Sequence, residues 1–381
     1  MTAPRPYTVG VAADVLADLR ARLARARWPD DVPGSGWQYG TDRAYLESLV
    51  AYWRDGYDWR THEAALNAFT HFTVPLGGID LHFIHEPGVG PRPLPLLLSH
   101  GWPGSVWEFH KVIPMLTDPA RFGGDPADAF TVVAPSLPGY GFSFRPHQPR
   151  FGIAAIVDLF AALMTDVLGY RRFAAQGGDW GSFITACLAA QYAERLAGIH
   201  LNLLPLRRDS RATVESDPED AAYLRDLQHW IAEETGYQAI QGTKPQTLAY
   251  GLTDSPVGLA AWIVEKFRSW SDCGGDVERR FSKDELLTNI TIYWATGAIG
   301  SSFWPYYDRL HTRWPLPDGR IDVPTGYAAF PREIVRPTRA RAERQFNIQR
   351  WTTMPAGGHF AALEEPAALV AEIRAFFRDR R

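Results

Sequence analysis

Apolar positions in the middle of the chain alternate between short β-rich runs and stretches with a helical period. Phe72–Pro75 and Ile79–His85 flank the pair Gly77-Gly78, and two adjacent glycines that accept positive φ mark a tight hairpin. Further strands are predicted at Leu94–Ser99, Phe130–Pro135 and Phe173–Gln176. Between the last two, Ile156, Leu159, Phe160, Leu163 and Val167 recur on one helical face, and Gly169 ends that helix. Strands linked by crossover helices build a mostly parallel sheet, so the fold class is α/β.

After another strand at Ile199–Leu204 the strand rhythm stops. A helical, aromatic-rich stretch follows from about Pro205 to Asp318, predicting an inserted lid. Strands resume at Ile321–Tyr327 and Phe346–Met354, and an amphipathic helix over Pro366–Arg378 closes the chain. Ahead of the sheet, helical pieces near Asp14–Arg25 and Asp42–Trp53 belong to an arginine- and tryptophan-rich extension that wraps the core. The expected division is a meander at 1–75, the core at 76–205, the lid at 206–319 and the rest of the core at 320–381.

Composition narrows the possibilities. A chain of 381 residues, 46% hydrophobic, is long enough for one large domain with an insertion. Its formal net charge of −4, with both signs interspersed, leaves no basic stripe for a nucleic acid. Cys187 and Cys273 lie far apart, without Cys-x-x-Cys spacing, so neither a disulfide framework nor a zinc site is expected and both are read as buried and inert. The start lacks a charged segment followed by an apolar one, and the longest apolar run, Leu94–Leu98, is far below the roughly 20 residues that span a bilayer. A cytoplasmic protein without a membrane anchor is expected.

The chemistry concentrates in Gly177-Gly178-Asp179-Trp180-Gly181, between a strand and the helix starting near Gly181. Such a turn is a nucleophile elbow with aspartate in the place of serine, and it predicts an α/β-hydrolase fold. The helix N-terminus favours the ionised carboxylate. Asp179 could equally be a helix N-cap, but three elements in the order this fold demands favour catalysis. His100-Gly101-Trp102-Pro103 follows a strand where an oxyanion donor is needed, which makes the amides of Trp102 and Trp180 the expected pair of donors. The same tetrapeptide could be a plain turn. His359, in Gly357-Gly358-His359-Phe360 between the last strand and the last helix, is the candidate base. Glu333 is the candidate acid that orients it, against the alternative of a surface charge, with Asp209 as runner-up. His82 and His85 point to opposite faces of one strand and are no metal pair. The absence of Gly-x-Ser-x-Gly counts against a serine esterase.

These residues, together with Arg27-Trp28-Pro29-Asp30, Tyr57-Asp58-Trp59-Arg60 and the stretches His100–Phe109, Lys244–Phe267 and Gly357–Pro366, resemble the microsomal-type epoxide hydrolases, including the juvenile hormone epoxide hydrolases of insects. The resemblance covers nearly the whole chain. It implies epoxide hydrolysis through an ester on Asp179, without a cofactor. It also implies two lid tyrosines that activate the ring oxygen, Tyr237 in Gly236–Gln241 and Tyr306 in Ser301–Tyr306, with Tyr250 and Tyr307 as nearby decoys. Membrane-bound relatives carry an N-terminal anchor helix; none is expected here, so their microsomal location is not carried over. Two rival readings are a haloalkane dehalogenase, which would need donors to halide in place of the tyrosines, and a non-catalytic hydrolase-fold binding protein. Trp230, Trp262, Trp270, Trp294, Phe303 and Trp304 predict an aromatic-lined pocket for a small apolar or aromatic epoxide, or else the lid's own core. The lid and the N-terminal wrap offer surfaces for a homodimer.

Overall fold

Short apolar runs bounded by proline, glycine and aspartate set the strands of this protein, described by a computed structural model over residues 3–206, 218–313 and 315–381. In the N-terminal stretch, β1 (Arg5–Tyr7) precedes α1 (Ala13–Ala24), α2 (Arg43–Asp55) and α3 (Trp59–Leu66). Asp42 and Asp58 cap α2 and α3 by accepting from the amides of Tyr45 and Arg60. The hairpin is β2 (His71–Leu76) and β3 (Ile79–Glu86), and Gly77 and Gly78 both take the positive φ its turn requires. Then come β4 (Leu94–Ser99), α4 (Val112–Thr117), β5 (Phe130–Pro135), α5 (Ile153–Ala162), β6 (Phe173–Gly177), α6 (Asp179–Gln191) and β7 (Leu196–Leu201).

The lid that follows contains α7 (Pro218–Glu234), α8 (Gly236–Thr243), α9 (Pro245–Asp254), α10 (Pro256–Ser269), α11 (Lys283–Thr296) and α12 (Trp304–His311). The chain returns to the sheet through β8 (Ile321–Ala329), α13 (Arg339–Gln345), β9 (Phe346–Thr353), α14 (Ala361–Glu364) and α15 (Pro366–Phe377). Among the described residues the strands form one nine-stranded sheet in the order β1-β2-β3-β5-β4-β6-β7-β8-β9. The pairs from β5 through β9 are parallel, whereas β1, β2 and β3 run antiparallel at one edge. In register, Ser99 of β4 lies opposite Gly177 of β6, and Gly177 opposite Leu201 of β7. The loops leaving β4, β6 and β7 therefore emerge side by side at one edge, where open parallel sheets place their ligand sites.

Two expectations need correction, and two short elements were not foreseen. The strand expected at Ile199–Leu204 runs instead from Leu196 to Leu201, all six residues buried. Leu203 and Leu204 are apolar because the lid covers them, not because they continue the sheet. The three-residue β1 and the short α3 carry too few residues for a periodic signal, and neither was expected. The N-terminal stretch grips the lid as well as the core: Trp53 donates to Thr291 of α11 at 3.1 Å, Tyr52 to Asp284 at 2.8 Å, and Arg22 to Asp254 at 2.7 Å.

Candidate active site

Asp179 opens α6 with φ +47°, a left-handed value that a side chain adopts only at a cost of about 1–3 kcal/mol. Missing side chains make the turn feasible. A Cβ on Gly177 would stand 2.2 Å from the carbonyl oxygen of Gly181, and one on Gly181 would stand 1.8 Å from that of Ser99. Glycine at both positions lets β6, α6 and the end of β4 converge. The carboxylate is lifted toward the loop after β4, where the Trp102 amide donates to its Oδ1 at 2.7 Å. Gly101 is equally constrained, since a Cβ there would lie 2.1 Å from the same oxygen. The Trp180 amide stands one residue further on in α6, while the hydrogen bond recorded at the resting carboxylate comes from Trp102.

Glu333 and His359 come from the loops after β8 and β9. A parallel bridge between Arg332 and Gly358 ties these loops together, with Arg332 donating its amide to Gly357 at 3.1 Å. His359 is further fixed by its own amide, which donates at 2.9 Å to the carbonyl of Trp270, just past α10. The imidazole thus lies between two carboxylates: Nδ1 is 2.6 Å from Oε1 of Glu333, and Nε2 is 3.3 Å from Oδ2 of Asp179. Burial alone would lower the proton affinity of His359, but the two carboxylates outweigh it and hold the imidazole well above its ordinary pKa. The runner-up acid, Asp209, lies outside the described residues.

Tyr237 on α8 and Tyr306 on α12 are both 4% exposed and line the same cavity as Asp179. The ring of Tyr237 stacks on that of Trp102 at 5.2 Å, and Tyr306 meets Trp180 edge-on at 4.8 Å. The two residues whose amides flank the elbow therefore also brace the two phenols. Gln238 donates to the Tyr237 oxygen at 2.8 Å, leaving that hydroxyl proton free for another acceptor. Burial raises both phenols above their ordinary pKa, and the Asp179 charge adds to the rise, so both stay protonated. Tyr250 is 72% exposed, and Tyr307 stacks on His311. Gln238 escaped sequence reasoning, and its position beside Tyr237 is the only signal it carries.

Residues 4–109 match the family described as epoxide hydrolase N terminus, and residues 95–248 match the alpha/beta hydrolase fold. A putative epoxide hydrolase of Stigmatella aurantiaca is 43% identical over 99% of this chain and 85% of its own length. Epoxide hydrolase 1 of Oryctolagus cuniculus is 38% identical over 98% of this chain and 88% of its own. The crystal structure of juvenile hormone epoxide hydrolase from the silkworm Bombyx mori superposes with a TM-score of 0.90 at 30% identity, covering 100% of this chain and 95% of that one. The chain belongs to the epoxide hydrolase family.

In this epoxide hydrolase family member a cavity of about 500 Å³ opens over Asp179, walled by Leu203, Leu224, Leu227 and Trp230 and flanked by Arg309. Of the six lid aromatics expected to line a pocket, only Trp230 does so. Trp270 packs edge-on against His359, and Phe303 packs against Trp102. Trp262 donates to Gln241, Trp294 lies under Arg22, and Trp304 stacks on Tyr307. Aromatic content signalled the lid's interior more than its ligand surface. The histidines of β3 have separate partners, His82 bonding His71 and Ser136 while His85 bonds Tyr170. Among the described residues no cluster of three or more metal-ligating side chains occurs, and no helix is long and apolar enough to cross a membrane.

Proposed function

We propose that this protein converts an epoxide with an apolar or aromatic substituent to a vicinal diol through an ester on Asp179. The observation that carries the reading is the Asp179–His359–Glu333 array beneath two buried, protonated phenols facing one cavity. Oδ1 of Asp179 is held by the Trp102 amide, which leaves Oδ2 to attack an epoxide carbon. The C–O bond of the ring breaks as Tyr237 and Tyr306 hydrogen-bond the leaving oxygen and supply its proton. Ester formation removes the negative charge of Asp179 from beside His359, so the imidazole loses part of what holds its proton and gives that proton up to restore the phenol that protonated the leaving oxygen. His359 then serves as base for a water that attacks the ester carbonyl. The oxyanion formed on Oδ1 is stabilised by the amides of Trp102 and Trp180, and the diol departs with the former Oδ2.

A single turnover in heavy-oxygen water tests this route: label should enter Asp179 rather than the diol. His359→Gln should accumulate protein heavier by the mass of the epoxide, and Asp179→Asn should not. Label found only in the diol refutes the ester. Release of halide from haloalkanes at a rate rivalling epoxide opening would instead favour a dehalogenase, and failure to open styrene oxide and bulkier epoxides alike would favour a binding role.

A further inference from the structure

A second, far smaller chamber touches Asp179 and His359. Its volume of about 20 Å³ exceeds the roughly 10–15 Å³ that one water molecule needs. Its wall includes Ser99, His100, Glu108 and Asn202. Ser99 Oγ is buried and lacks a hydrogen-bond partner among the described residues, and His359 Nε2 has only its 3.3 Å contact with Asp179. Glu108, half-buried as a residue, lines the same chamber. Buried polar groups left unpaired destabilise the fold, and one shared water relieves several at once.

The position of Glu108 is built in. Gly104 has no side chain where one would collide, since a Cβ there would stand 1.3 Å from Oε1 of Glu108. Helix α11 pins the intervening loop: Tyr293 donates to the carbonyl of Gly104 at 2.7 Å, Asn289 donates to that of Pro103 at 2.8 Å, and Ser105 donates to Asn289 at 2.8 Å. The carboxyl therefore fills the space left open at residue 104 and reaches the chamber that His359 also faces.

We infer that this chamber seats the water that attacks the Asp179 ester, and that Glu108 orients that water by hydrogen bonding. The inference rests on the ester reading above and adds a residue to it. Burial pushes the Glu108 carboxyl up to about 8; His359 pulls it down and Asp179 adds to the rise. The group is then uncharged near neutrality, so it does not repel Asp179. In the hydrolytic step one water proton passes to Nε2 of His359 and the other O–H donates to Glu108. The water oxygen bonds to the ester carbon, the ester C–O bond breaks, the departing alkoxide takes the proton back from His359, and the acid left on Asp179 passes its remaining proton to the imidazole, which restores the resting pair.

Rapid-quench mass spectrometry with styrene oxide follows the rise and decay of the ester and separates the two steps. Glu108→Met keeps the volume and removes the hydrogen bond, so ester decay should slow by about 10- to 100-fold while ester formation stays within about threefold. Glu108→Gln retains an uncharged hydrogen-bonding group and should restore decay to near the original rate. Decay at the original rate in Glu108→Met overturns the role of Glu108 alone. So does equal slowing of both steps, or a Gln variant as slow as the Met variant. If His359→Gln never shows ester mass, the covalent reading itself fails, and this proposal with it.

Discussion

Oε1 of Glu333 lies 2.6 Å from Nδ1 of His359, while Oε2 of the same carboxylate is buried without a partner among the described residues. One oxygen thus carries the whole interaction, and it also accepts the Ile334 amide at 2.6 Å. Glu333→Gln keeps the shape and removes the charge. Ester decay should fall by about 10²- to 10⁴-fold, with ester formation far less affected and the thermal midpoint nearly unchanged. Single-turnover traces for the two steps check this, and a Gln variant with normal decay contradicts it.

On the proposed route the two phenols act before the base does. Tyr237→Phe and Tyr306→Phe should each slow ester formation by about 10²-fold, and the double variant should form no measurable ester. Their packing against Trp102 and Trp180 does not involve the hydroxyls, so both single variants should melt close to the parent. Unchanged ester formation in either variant removes that tyrosine from the reaction.

Two glycines separate folding from chemistry. Gly181→Ala places a methyl group 1.8 Å from a backbone oxygen that cannot move aside, and overpacking of this kind costs about 1–3 kcal/mol or more. Its midpoint should fall by several degrees, read by thermal denaturation. Gly101→Ala instead presses on the Asp179 carboxylate, so ester formation should collapse with a smaller loss of stability. The reverse order of effects would contradict the described elbow.

Glu108 also predicts a pH dependence of stability. Its folded value of about 8 exceeds its ordinary 4.5. A raised value means the protonated group stabilises the fold fully below about 4.5, and that contribution is lost as pH rises through about 8. Glu108→Gln does not titrate, so its midpoint relative to the parent should rise between about pH 5 and pH 9. A constant difference across that range contradicts the placement of this carboxyl in a low-dielectric site.

Elements with sharp punctuation were legible in the sequence: Leu94–Ser99 and Phe130–Pro135 agree residue for residue with β4 and β5. The end of β7 was not, because burial under the lid and burial in a sheet leave the same apolar mark on Leu203 and Leu204. Around the elbow, motif order pointed to Asp179, Trp102, Glu333 and His359, and the fold places these four side by side. The tyrosines rested on family resemblance, since position along a helix does not reveal which of fifteen phenols faces a carboxylate. Glu108 left no sign at all. Its relevance comes from a missing side chain at Gly104 and from a water-sized gap, and neither is written in local pattern.

The bridge between Arg332 and Gly358 joins two loops that the chain completes only after the whole lid has been made. The imidazole facing the elbow thus comes from a segment of the chain made after the lid. A chain clipped after β8 would lose the apolar faces of β9 and α15 that complete the two cores, so it would forfeit the packing of the sheet together with the imidazole.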